Sequence, residues 1–219
     1  MSNLTKLFKK EWRLAIAPSI FVFIYALLGL TLLAPNYPYF VAFGYCLIGI
    51  PTLFSFSKGN RDLEFTANLP ISRADIVKSK FVTISFIQIL QILVAIPFAI
   101  LSALLINTKG NIIGLDANFS LFAITFIEFG VFNLIFMPTF FKTGYRLAPA
   151  TTFAILGYLF TTILLEIIIA FIPALNILFD GYSNIVAQIC LLAFGVVFYI
   201  ASMFLSFKLS VKNFNKVNL

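Results

Sequence analysis

Two carboxylates, Glu128 and Glu166, each sit inside a long apolar run, where an ionisable group is costly and ordinarily faces a bundle interior or a wet cavity. Each shares a helical face with other polar groups. Thr125 accompanies Glu128, while Thr151, Tyr158 and Thr162 recur at helical spacing towards Glu166. Ser85, Gln88 and Gln91 form a similar stripe in a third run, and Tyr199, Ser202 and Ser206 in a fourth. Such stripes either line a common path for a polar molecule or join helices through hydrogen bonds worth about 1 kcal/mol each in a membrane bundle. Both readings stay open. The path reading takes Glu128, Glu166, Gln88, Gln91, Tyr158 and Thr162 as its candidates. With two acids it favours a cationic or amphipathic cargo over an anionic one.

Other chemistry is poorly supplied. The chain has no histidine, which excludes a Ser-His protease or a His-ligated metal site. It has no GxxxxGK[ST] phosphate loop, so it lacks the usual ATP cradle. Cys46 and Cys190 fall inside apolar runs and read as small hydrophobes, not as a disulfide framework. The net charge of +7 is spread over the ends of apolar runs instead of forming one basic patch, which speaks against nucleic acid as a partner.

The elements that must position these groups are membrane helices. Of 219 residues, 61% are hydrophobic and 11% charged, where a soluble domain carries about 25% charged residues. Runs long enough to cross a bilayer core of about 30 Å are predicted at Leu14 to Ala34, Tyr39 to Phe56, Phe81 to Asn107, Phe119 to Phe141, Ala148 to Ile172 and Ile185 to Phe207. The first is too long for a signal-peptide core and lacks a small-x-small cleavage site, so it reads as a retained crossing. With both termini cytoplasmic, Lys109 is the one basic residue left outside, and every other Lys and Arg falls on inner segments. The expected architecture is therefore all-α, with six transmembrane helices in a single domain spanning residues 1–219. Residues 1–13 carry Leu4, Leu7, Phe8 and Trp12 on one face and Lys6, Lys9, Lys10 and Arg13 on another, the layout of an amphipathic interfacial helix lying on membrane lipid. A simple basic flank to the first crossing is the alternative. Pro51, Pro97 and Pro138 fall within crossings, and Pro173 ends or bends the fifth, leaving Ala174 to Phe179 as a re-entrant piece or part of a tilted helix.

Between the second and third crossings, residues 57–80 form a cytoplasmic loop that concentrates charge and one strong helix start. Ser72 followed by Asp75 fits a capping box, and Pro70 disfavours helix just before it. A helix is predicted from about Arg73 running unbroken into the third crossing. Leu63, Phe65, Leu69 and Ile71 are apolar side chains framed by Arg61, Asp62, Glu64 and Arg73, which suits a docking surface for a soluble partner. Burial against the chain's own helices is the competing reading.

The segment NRDLEFTANLPISRADIVKSKF resembles the stretch between the second and third helices of type-2 ATP-binding-cassette (ABC) exporter permeases. Size, six-crossing layout and amphipathic start resemble that family too. The resemblance implies a coupling helix in this loop that contacts a separate nucleotide-binding ATPase, with Leu63, Glu64, Leu69, Pro70, Ser72 and Arg73 as coupling candidates. It also implies that ATP and Mg bind to the partner ATPase and no cofactor binds here. A second copy or a paralogous permease subunit would complete the transporter, in a bacterial cell membrane. The compact subfamily resembled includes phenol-soluble-modulin-type peptide exporters, which makes a membrane-active peptide the expected cargo. Two rival readings remain, an ion-coupled secondary transporter using Glu128 and Glu166, and a non-transporting peptide-immunity or scaffold subunit. Internal repeats, common in the former, are not found.

Overall fold

In an apolar medium the backbone has only itself to hydrogen-bond with, so runs this hydrophobic become helices. The computed structural model of the protein describes residues 7–10, 18–59, 71–106, 108, 110–143 and 146–217. Among them there is no strand. The order is α1 (Pro18–Leu32), α2 (Phe40–Gly59), α3 (Arg73–Leu101), α4 (Phe119–Lys142), α5 (Leu147–Phe171), the short α6 (Pro173–Phe179) and α7 (Ile185–Phe214), with a π-helical turn, Ser102–Ile106, continuing α3.

Four of these are long and apolar enough to cross a membrane: Arg73–Ile106, Phe119–Lys142, Leu147–Phe171 and Ile185–Phe214. α2 is shorter in its apolar part, Phe40–Phe56. The described part of α1 has 15 residues, about 22 Å at 1.5 Å per residue, and residues 11–17 just before it lie outside the described residues. The chain is thus an all-helical multi-pass membrane protein. Residues 7–10 are helical, with Leu7 buried and Phe8 edge-on to Phe86 at 6.1 Å, while the rest of the expected interfacial helix lies outside the described residues.

The start of α3 is built as its sequence requires. Ser72 Oγ accepts from the Asp75 amide at 3.1 Å and donates to Asp75 Oδ2 at 2.7 Å, so the cap and the carboxylate satisfy each other. The helix then continues past Pro97 to Leu101. α5 ends at Phe171 because Ile172 is extended and Pro173, which has no N–H to donate, takes the first turn of α6. α6 buries none of its residues.

α4 is the axis of the bundle, buried along most of its length between α5 and α7. The approach of α7 depends on glycine. A Cβ at Gly195 would lie 2.5 Å from the Ala123 carbonyl oxygen, and one at Gly130 would lie 3.1 Å from the Phe198 ring. Small residues at such crossings let backbones meet where no hydrophobic force drives them together. Towards the end where α4 finishes, rings take over: Phe132, Phe136 and Phe140 stack in sequence along α4, and Phe54 of α2 packs edge-on to Phe136 at 5.2 Å and to Phe140 at 4.7 Å.

Gly157 offers an internal control, because a Cβ there would press on the flexible end of Ile135 and meet Val131 at an ordinary 3.7 Å. Gly195→Ala, which must push against backbone, is expected to cost about 1–3 kcal/mol, and Gly157→Ala clearly less. Thermal unfolding of both variants in mild detergent checks the order.

Candidate functional site

Charge divides the bundle into two ends. One, with the start of α3 and the finishes of α4 and α7, carries Arg73, Lys78, Lys142, Lys212 and Lys216; the other, around the loops before α4 and α7, carries Asp116 and Asp180.

Glu128 is fully buried on α4. Thr162 of α5 donates to its Oε1 at 2.6 Å, and the same hydroxyl lies 3.1 Å from the Tyr158 carbonyl. Tyr158 in turn donates across to the Phe40 carbonyl of α2 at 2.9 Å, an approach that Gly44 leaves room for. Three of the six path candidates are therefore joined in one network linking α2, α4 and α5. Glu128 Oε2 is buried and has no hydrogen-bond partner among the described residues.

Glu166, one helical turn beyond Thr162, stands apart from that network. It lines a cavity of about 290 Å³ at the acidic end, formed with Asn111 to Leu115, Asn176 and Asp180. The loop backbone passes over the carboxylate, since a Cβ at Gly114 would lie 3.5 Å from both of its oxygens. The surrounding loops are tied together: Asp116 N–H donates to Asp180 Oδ1 at 3.1 Å, and the Asn118 amide donates to the Phe179 and Gly181 carbonyls at 3.0 and 2.8 Å. Asn118 also caps α4 by accepting from the Ser120 and Leu121 amides. Burial raises the pKa of Asp116, helped by the charge of Asp180 and opposed by the hydrogen bond from the Asn111 amide.

Gln88 and Gln91 are fully buried and lie away from both acids' contacts. Gln88 exchanges hydrogen bonds with Asn133 of α4, 3.2 Å in one direction and 2.8 Å in the other, and accepts from Tyr199 of α7 at 2.9 Å. Ser206 of α7 donates to the Asn133 carbonyl at 2.7 Å. Gln91 donates to the Ala42 carbonyl of α2 at 3.0 Å. The stripes on α3 and α7 are thus occupied in holding helices together here. Asn133 is the residue that sequence reasoning missed: it is a lone polar group among Phe, Leu and Val, outside any stripe, and its signal is only the cost of an amide at that depth.

Of the coupling candidates, Leu63, Glu64, Leu69 and Pro70 lie outside the described residues. Ser72 is the α3 cap. Arg73 points into its own chain: one guanidinium nitrogen donates to the Phe214 carbonyl at 2.8 Å and to the Val217 carbonyl at 3.0 Å, with the group 5.3 Å from the centre of the Phe214 ring. The Phe214 carbonyl also accepts from the Val217 amide at 3.2 Å, so Arg73 adds a charged donor to the turn that closes α7, where a cation meets the negative pole of the helix. Phe214 packs on Phe141 of α4 at 5.3 Å, so the start of α3 meets the ends of α4 and α7 at one joint.

Set beside known proteins, residues 6–210 match the family described as ABC-2 family transporter protein. No curated protein and no solved structure matches the chain.

Replacing Arg73 with Ala should free the end of α7, because hydrogen bonds from a charged donor contribute about 1.5–3 kcal/mol before solvent screening reduces them at a half-exposed site. Amide exchange over residues 211–217 is expected to rise strongly in Arg73→Ala. In Arg73→Lys, which keeps the charge and loses the fork, the rise should be smaller. Hydrogen-exchange mass spectrometry reads both.

Proposed function

The chain belongs to the ABC-2 transporter protein family, and from that premise we propose that it is the permease half of an ATP-driven exporter of cationic, amphipathic peptides. The match over residues 6–210 supports the permease role, and the cargo is read from the two acids within the helices. A permease of this family is a membrane transport component, and the ATPase is a separate subunit.

In this proposal six crossings place both termini and the basic end in the cytoplasm, in keeping with the distribution of Lys and Arg. Of the loop expected at residues 57–80, the part between the end of α2 at Gly59 and the cap at Ser72 is the cytoplasmic handle, the flanking residues being helical, and Leu63, Glu64, Leu69 and Pro70 supply its contact with the ATPase, which binds ATP and Mg. Ser72 fixes where the handle ends and the rigid α3 begins. Arg73 acts behind that contact by holding the end of α7 to the start of α3, so that displacement of the loop is shared by two long helices. A second copy or a paralogous permease completes the membrane unit in the bacterial cell membrane. Glu128 and Glu166, towards the acidic end, give positively charged cargo a favourable potential, and the apolar helices around them suit its hydrophobic face.

One observation favours a second reading. Among the described residues Glu128 Oε2 is buried without a partner, as a site that takes up a proton or cation would be, and this is the feature an ion-coupled transporter would use.

Vesicles containing this chain with its ATPase separate the two. Cationic amphipathic peptides are expected to stimulate ATP hydrolysis and to move only when ATP is present. Glu128→Gln should weaken that stimulation by roughly tenfold, equivalent to about 1.4 kcal/mol. Transport driven by an ion gradient without ATP would support the second reading, and stimulation by no peptide would remove the cargo assignment.

A further inference from the structure

At mid-depth the α3–α4–α7 contact is closed by Gln88, Asn133 and Tyr199. Beyond that seam, towards the acidic end, the helices part. α3 leans the other way, because Tyr39 and Ser102 share a hydrogen bond of 2.7 Å and the Phe98 ring packs where a Cβ at Gly29 would sit 3.0 Å from it. Its last turn widens into the π-helix Ser102–Ile106, one turn after Pro97. α4 and α7 meanwhile stay clasped at Gly195. The result is a groove of about 480 Å³ between α3 on one side and α4 and α7 on the other.

Its walls are hydrocarbon: Ile96, Ile100 and Leu104 from α3, Phe122 from α4 and Leu192 from α7. Among the described residues, polar groups line it only at the end nearest the loops. There the Asn118 and Gln188 amides are already spent on backbone carbonyls, which leaves the half-exposed Tyr182 at the rim. Water finds no partners along such walls, and an empty space of this size would forfeit dispersion contacts on every side. The groove is of the size that holds a small ligand. It lies across the bundle from the α2–α4–α5 network of Glu128, so its occupant needs no charged or polar middle. In a bilayer, the material that meets these walls at this depth is a lipid chain. An aromatic hydroxyl at the rim is the group that ordinarily sits at headgroup level.

We propose that this groove holds one acyl chain of a membrane phospholipid, with its headgroup beside Tyr182, as a resident part of the bundle. The lipid completes the packing that α3 gives up by leaning towards α1 and α2. This site is separate from any cargo path and stands whether or not the exporter reading does.

The test uses the full chain in liposomes containing a phospholipid with a photoreactive group near the end of one acyl chain. Adducts on Ile92, Phe122 and Phe126, which line the groove and are buried or half-buried, are expected to exceed those on Phe194 and Val197, which α7 exposes on its surface, by roughly tenfold, the yield ratio for a site favoured by about 1.4 kcal/mol. Leu104→Trp, which fills the groove from an exposed position, should abolish the excess on Phe122 while leaving Phe194 labelled. The labelling ratio in the unaltered chain decides the matter even if the variant fails to fold. Equal labelling of groove and surface would overturn the proposal. So would loss of groove adducts on adding a cationic amphipathic peptide, which would make the groove a cargo site.

Discussion

Inside hydrocarbon a polar side chain must find its partner within the protein, and the Gln88–Asn133–Tyr199 cluster is where this chain meets that demand. Three side chains from three helices satisfy one another at mid-depth, with Ser206 adding a bond to the Asn133 backbone and Gln91 reaching across to α2. Leucine-rich surfaces packed against lipid tails have little preference for any one register, whereas an amide pair has one that works. The cluster therefore fixes how α3, α4 and α7 stand against each other. The two ends of the bundle are free to differ because their relation is set between them.

They differ in kind. At the basic end the joints are a cation on carbonyls and a set of aromatic contacts, Arg73 on Phe214 and Phe214 on Phe141, which bring the start of α3, the end of α4 and the end of α7 together. At the acidic end loops are laced by short polar side chains, and two separate spaces open. One is small and lined in part by Glu166 and Asp180, and the other is a hydrocarbon groove between α3 and α4. Ring packing and a charged cap suit an end that must move as a unit. Laced loops over cavities suit an end that admits molecules.

Much of this was legible in the sequence. The helices fall where the apolar runs lie, and the Ser72–Asp75 box marked the start of α3 because capping is a local event between residues three apart. Pro173 likewise announced the break before α6. The partners of the polar stripes were not legible. Gln88 and Tyr199 are 111 residues apart, and nothing in either run says that the amide meets the phenol instead of a path. Arg73 illustrates the same limit. Its neighbours mark it as a loop cation next to a docking surface, yet its guanidinium is spent on carbonyls more than 140 residues away. Glu128 and Glu166 look equivalent in sequence, but one is enclosed in a three-helix network and the other opens on a cavity, a distinction made by the loop that crosses over Glu166.

The central claim is that a membrane bundle without its own phosphate-binding loop is driven through the cytoplasmic segment before α3. Site-specific photocrosslinking from Leu69, in the full chain expressed together with its ATPase, tests it most directly. The account predicts a covalent adduct between Leu69 and the ATPase in intact membranes, and none from Ile112 on the opposite loop. An adduct from Ile112 with none from Leu69, or labelling of a Leu69→Cys variant lacking Cys46 and Cys190 by an impermeant thiol reagent added outside intact cells, would contradict it.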